Sequence, residues 1–392
     1  MTTMLHRPLS IIVVAIALLH SPAVTAEPIL IGVSMPFSGE FAVYGEAAMI
    51  GIQARVDEVN AEGGVNGRQL KLEVKDNESS PDVAARQVDE FADMGIQVVV
   101  GPVTSGVAMA MKPVAAKRKI VVVSPSATVD DLTGSDAWIF RSSFPDLAQG
   151  AALATFARRD LNFTRVAIVF DERYPYSVNL ARQFRKDFER LGGSIVLDTS
   201  YAYGAFTDPE PFDADLKRIV AELVAAEPEL IFAPIYPEEA SPLVFAAGRA
   251  EVSARFAGSD SWDSETVWQA SGSNIQGCYL TSAFSQDDPD PEAQHFVQRM
   301  EDKGTDIVDS GVALAYDAIS MIVEAMRSTG ATGEEIRQGL FKLEDFPLIT
   351  GRTTITPDGE TVKEIMLLQV KQVAEKTFQP QMLKRVSPET AE

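Results

Sequence analysis

Short apolar runs and amphipathic stretches alternate along most of this chain. Ile29 to Ser34 is nearly continuous apolar sequence, the pattern of a strand buried on both faces. Met49, Ile52, Val56 and Val59 then recur at helical spacing. Gly63-Gly64 ends that helix, and Asn66-Gly67 marks a turn into Gln69–Lys75, which alternates as a strand does. The same rhythm predicts helices over Asp82–Met94, Val107–Lys117, Leu147–Asp160, Val178–Leu191, Phe212–Ala226 and Glu239–Ala250. It predicts strands over Ile96–Val100, Ile120–Ser124, Val166–Phe170, Ser194–Thr199 and Leu230–Ala233. Strands alternating with helices imply βαβ units and parallel sheets. The chain is too long for one such sheet, so two α/β lobes are expected. Near the C-terminus, Thr353–Thr356 and Val362–Val370 flank Pro357-Asp358-Gly359, which predicts a hairpin.

The first 26 residues follow a different pattern. His6 and Arg7 precede an apolar run, Leu9 to Leu19, interrupted only by Ser10. Ser21-Pro22 breaks it, and Val24-Thr25-Ala26 offers small residues for cleavage. The run is short of the roughly 20 residues a spanning helix needs, so it reads as a secretory signal peptide cleaved after Ala26. The expected location of the mature chain is periplasmic. No second long apolar stretch follows, and no membrane insertion is expected.

Charge and rare residues narrow the function. With 34 basic and 56 acidic side chains the net charge is −22, which disfavours nucleic acid and anionic membrane surfaces. The single cysteine, Cys278, excludes an intrachain disulfide and reads as a buried, inert thiol in a strand. Of three histidines only His295 lies beyond the leader, on a predicted helix from Pro291 to Lys303. A multi-histidine zinc site is therefore impossible, and Ser–His or Cys–His catalysis would have to use that one residue. No nucleophile elbow, phosphate loop or dinucleotide fingerprint is present. The expectation is a non-enzymatic protein without cofactor or metal.

Ligands of open parallel sheets bind beyond the carboxyl ends of the strands. Those positions here hold Tyr44 after the first strand, then Val103, Thr104 and Ser105, then Ser126, Ala127 and Thr128. They continue with Tyr174 and Tyr176, Tyr236, and Asp260 with Trp262. Ser105 opens a helix, whose N-terminus favours an anion, and Asp260 would favour a cation. Tyrosines supply apolar walls with polar tips. Together these suit a zwitterion with an apolar side chain, such as an α-amino acid. Each residue also has a plainer reading: Ser105 as a helix cap, Thr128 and Asp260 as turn formers, the tyrosines as half-buried loop residues.

Four segments carry a family resemblance: Ile31-Gly32-Val33-Ser34-Met35-Pro36-Phe37-Ser38-Gly39, Gly64-Val65-Asn66-Gly67-Arg68, Val100-Gly101-Pro102-Val103-Thr104-Ser105 and Ser124-Pro125-Ser126-Ala127-Thr128. In this order they resemble the leucine/isoleucine/valine-binding proteins, substrate-binding subunits of bacterial ABC importers. The resemblance implies the type I periplasmic-binding-protein fold, two Rossmann-like lobes joined by three crossover strands. It places an N-terminal lobe at 27–145 plus 286–349 and a C-terminal lobe at 146–285 plus 350–392. It implies that Ser105 and Thr128, with backbone at Ser126, hold a ligand carboxylate, and that Asp260 and Tyr236 take the ammonium. Tyr176 would close from the second lobe, while Tyr44, Val103 and Thr104 line the pocket. The implied partner is an ABC permease, and the implied state a monomer. Two departures bear on the ligand: Tyr176-Ser177 stands where the family has tyrosine–glycine, and Asp260 is one methylene shorter than a glutamate. Binding of an aromatic acid, amide or urea-like solute, or a sensor role, remains the alternative.

Overall fold

The computed structural model describes residues 27–387; the predicted leader lies outside the described residues. The first sheet contains β1 (Ile29–Met35), β2 (Leu70–Asp76), β3 (Val98–Val100), β4 (Val121–Ser124) and β5 (Ile139–Arg141). All its pairs are parallel, in the order β2-β1-β3-β4-β5. Helices α1 (Ala42–Ala61), α2 (Pro81–Asp93) and α3 (Ser105–Arg118) link the first four strands. Strands β3 and β4 are fully buried valine runs, as expected where helices cover both faces.

The chain then crosses to a second sheet through α4 (Asp146–Thr155). That sheet contributes β6 (Arg165–Asp171), α5 (Pro175–Arg190), β7 (Ser194–Tyr201), α6 (Pro209–Ala226), β8 (Leu230–Phe232) and α7 (Pro237–Arg249). Next come β9 (Arg255–Ala257), α8 (Glu265–Ala270) and β10 (Tyr279–Ser282). Helices α5, α6 and α7 each begin at a proline, whose missing N–H is no loss in a first turn.

A second passage returns to the first body through α9 (Pro291–Asp302), α10 (Ser310–Thr329) and α11 (Gly333–Leu340). Ile319, Met326, Ile336 and Leu340 pack into the core of the first sheet, beside Ile52 and Val56 of α1. A small sheet of β11 (Phe346–Leu348), β12 (Gly351–Ile355) and β13 (Thr361–Val362) follows. The last passage delivers β14 (Ile365–Ala374) and β15 (Thr377–Val386) to the second sheet, whose order is β15-β14-β10-β9-β8-β6-β7.

Here the structure departs from one expectation. Val362–Val370 is not one strand of a hairpin: β12 pairs with only two residues of β13, and after Lys363-Glu364 the chain joins β10 and β15 in the other sheet. Ile355 of β12 is buried in the first core, and Lys363-Glu364 lie where the chain leaves the small sheet for β14. Buried Lys363 sits at this junction. Its ammonium donates to the Ser142 carbonyl at 2.8 Å, between β5 and α4, and lies against the Thr350 hydroxyl, between β11 and β12. Cys278 is buried and its thiol is pushed up to about 12 by that burial, and His295 is exposed.

Candidate functional site

The C-terminal ends of both sheets face one cleft, and the two bodies meet across it. The Tyr44 hydroxyl donates to the Ser261 carbonyl at 2.9 Å. Asn179 of α5 donates to Asp130 at 2.7 Å, and Tyr174 donates to Glu40. Phe41 lies against Tyr174 and Tyr236, with ring centroids 5.6 and 4.7 Å away. The cleft is thus closed at its mouth by aromatic rings from both sides.

Behind them lies a cavity lined from both bodies by Tyr44, Val103, Thr104, Ser105, Ser126, Tyr176, Tyr236 and Asp260. About 50 Å³ of it is open to the centres of water molecules. One water needs roughly 10–15 Å³ by that measure, so the closed cavity suits a small ligand.

The first wall is built from backbone. Gly101 has φ +114, and a Cβ there would meet the Ser34 carbonyl oxygen at 2.1 Å. Only glycine lets β3 turn so tightly into the 102–104 loop. That loop leads into α3, whose preceding residue, Thr104, makes no side-chain cap bond. The first-turn amides of α3 therefore keep their hydrogen-bonding capacity for the cavity side. The Ser105 hydroxyl oxygen accepts from the Thr128 and Val129 amides, each at 3.3 Å, which leaves its own proton to donate. The Ser126 hydroxyl donates to the Val103 carbonyl at 2.9 Å and fixes the two loops together.

The opposite wall is built from side chains. Asp260 accepts from the Tyr176 hydroxyl at 2.7 Å, and its amide donates to Gln149 at 2.8 Å. Burial raises the Asp260 carboxyl above the usual range, while Tyr176 and Gln149 hold it down. Tyr236 stacks on Tyr176 with centroids 5.2 Å apart.

Two expected contact residues lie behind the wall. Ala127 is fully buried and its amide donates to the Ser124 hydroxyl at 3.0 Å. Thr128 gives its amide to Ser105, and its buried hydroxyl lies beside the Asp146 carboxyl. Trp262 is also buried, packed on Gly258 and Phe256, away from the cavity. The sequence reading missed Ala48, Asp263, Asp309, Gly311 and Leu314, which also line the cavity with Pro125, Ser261 and Ser310. Asp309 directly before an apolar run is a readable helix-start signal. Among the described residues, no cluster of histidine, cysteine or acidic groups could hold a metal ion, and no helix is long and apolar enough to cross a membrane.

Two lobes closing over a small cavity, with donors on one wall and a carboxylate on the other, define a solute-binding protein of the hinged type. The family model described as periplasmic binding protein matches residues 28–376, and the chain belongs to that family. It is 26% identical to the Leu/Ile/Val-binding protein homolog 3 of Brucella melitensis, over 84% of this chain and 86% of that one. It is 24% identical to the leucine-, isoleucine-, valine-, threonine- and alanine-binding protein of Pseudomonas aeruginosa, over 88% and 90% of the two chains. Among solved structures it is similar to the branched-chain amino acid substrate-binding protein LivJ of Streptococcus pneumoniae in complex with isoleucine. The TM-score is 0.81 at 28% identity, covering 91% of this chain and 100% of that one. A solute-binding protein of Rhodopseudomonas palustris in complex with 3,4-dihydroxybenzoic acid shares the fold, with TM-score 0.81 at 19% identity over 92% and 98%.

Proposed function

We propose that this chain is the exported binding subunit of an ABC importer and captures a small α-amino acid by closing its lobes. The carrying observation is that one cavity has unpaired amide and hydroxyl donors on one wall and Asp260 on the other. A zwitterion satisfies both walls at once. The ligand carboxylate sits at the N-terminus of α3, on its amides and the Ser105 hydroxyl. The ammonium pairs with Asp260 beneath the Tyr176–Tyr236 stack. Ala48, Val103 and Leu314 give the side chain short apolar walls, in keeping with the branched-chain relatives. Micromolar affinity needs only about 8 kcal/mol, within reach of a few charge-assisted bonds and one apolar contact.

Residues 1–26 serve as the leader, and the mature chain works in the periplasm as a monomer that presents its closed form to the permease. It carries out no reaction and needs no cofactor. A lone carboxylate ligand would bring a second negative charge into the cavity with Asp260 and supply it no counter-charge, which disfavours the aromatic-acid alternative. A thermal-shift screen of the mature protein against free amino acids, aromatic acids and amides tests the reading. Ligand at 100 times its dissociation constant should add about 2.7 kcal/mol of stability. A shift with amino acids is the expected result. A shift only with aromatic acids or amides would overturn it.

A further inference from the structure

Asp260 is one of three carboxylates on the cavity, the others being Asp263 and Asp309. They differ in what they already bind. Asp263 Oδ2 accepts from the Ser282 hydroxyl at 2.6 Å and the Ser310 amide at 3.2 Å, which ties the second sheet to the start of α10. Asp309 caps α10: Oδ1 accepts from the Val312 amide at 3.1 Å, and the Gly311 amide also bonds the carboxylate. The residue lines the cavity together with Ala48 and Leu314. Gly311 helps keep this carboxylate open, because a Cβ there would come within 3.1 Å of the Asp309 Oδ1.

The surroundings offer Asp309 no counter-charge. Among the described residues no lysine, arginine or histidine lines the cavity. Burial, Asp263 and Glu265 together push its carboxyl up to about 7. A carboxylate held this way is stabilised by any donor brought to it, and a closing ligand brings its side chain.

We infer that Asp309 is a specificity-determining residue that accepts a hydrogen bond from the ligand side chain, so that the preferred amino acids are short ones carrying a hydroxyl, amide or ammonium donor. The inference rests on the amino-acid reading of the site and narrows it. The carbons next to the zwitterion still meet Ala48, Val103 and Leu314; the tip of the side chain meets an acceptor. An all-aliphatic side chain of the same shape would cover this carboxylate without replacing the water it loses. Sites built to hydrogen-bond a ligand discriminate against the analogue lacking that group more strongly than apolar pockets discriminate by size.

Calorimetry on the mature protein with three isosteric pairs tests this: threonine against valine, asparagine against leucine, and 2,4-diaminobutyrate against norvaline. The donor-bearing member of each pair should bind tighter, by at least about tenfold for the diaminobutyrate pair, where the carboxylate gains a counter-charge. Asp309→Ser keeps a good helix cap while withdrawing the carboxylate, and should bring every pair to within about threefold. Asp309→Asn keeps both cap and acceptor, and should lower the preference for diaminobutyrate alone. A melting curve identifies a variant that fails to fold, in which case the other one decides. Equal affinities within the pairs, or preferences that survive both variants, would overturn the inference and leave the amino-acid reading standing. No binding by any of the six amino acids would overturn both.

Discussion

On the proposed reading, the two walls of the cavity recognise charge by opposite means. The wall at α3 has no charged side chain; its donors are the first-turn amides and a serine hydroxyl whose oxygen already anchors the next loop. The wall at Asp260 depends on a buried carboxylate, with Tyr176 as its hydrogen-bond partner and Tyr236 stacked on that ring. Backbone recognition is robust to side-chain change, because the amides remain whatever residue carries them. Side-chain recognition is concentrated, because one truncation removes the carboxylate that Tyr176 orients on that wall. Mutations of equal size on the two walls should therefore have very unequal effects.

The largest effect should come from Asp260→Ala, which leaves the ligand ammonium buried without a partner. Affinity by calorimetry should fall at least about 100-fold, or roughly 2.7 kcal/mol, with the melting temperature of the free protein little changed. Tyr176→Phe should cost about tenfold, the value of one hydrogen bond to a charged group. Its deficit should widen as pH falls, since Asp260 loses a bond that holds its carboxyl down.

Asp146 tests the setting behind the carboxylate wall. It is fully buried, accepts from Asn179 at 3.1 Å, and burial pushes its carboxyl up to about 8. The folded chain thus holds this proton more tightly than the unfolded one. Stability from this group is fully present below about pH 4 and is lost as pH rises through about 8. Asp146→Asn should remove that loss, with a gain on the order of 1 kcal/mol at pH 8 and little at pH 4. Melting curves at the two pH values check it. The smallest effect should be that of Ser126→Ala on the backbone wall. Its hydroxyl is committed to the Val103 carbonyl, so the change in affinity should stay below about threefold. A loss as large as that of Asp260→Ala would dissolve the contrast between the walls.

How much of this was legible depends on periodicity. The βαβ rhythm was readable because each strand is a short apolar run and most helices show one apolar face. Helix α10 was not: Val312 to Met326 is buried almost all round, so no face stands out. With α10 unseen, Asp309, Gly311 and Leu314 could not be placed on the cavity. The start of α11 was signalled and overlooked, since Thr332 and Glu335 form a capping box. At the site, reading the residues after each strand found Ser105, Tyr176, Tyr236 and Asp260. It could not tell which side of a loop faces inward, so it did not separate Ala127 and Thr128, which lie outside the cavity lining, from Ser126, which lies in it. Phe41, which seals the mouth, precedes α1 as one more apolar residue and has no pattern of its own.

The central claim is that one ligand satisfies both walls at once, carboxylate on the α3 amides and ammonium on Asp260. It is tested most directly by titrating the wild-type protein with its tightest amino acid, the N-acetyl derivative and the methyl ester. Loss of at least about 100-fold in affinity with each derivative is the predicted result. Retained affinity for the N-acetyl compound would contradict the account, because Asp260 would then have no ammonium to hold.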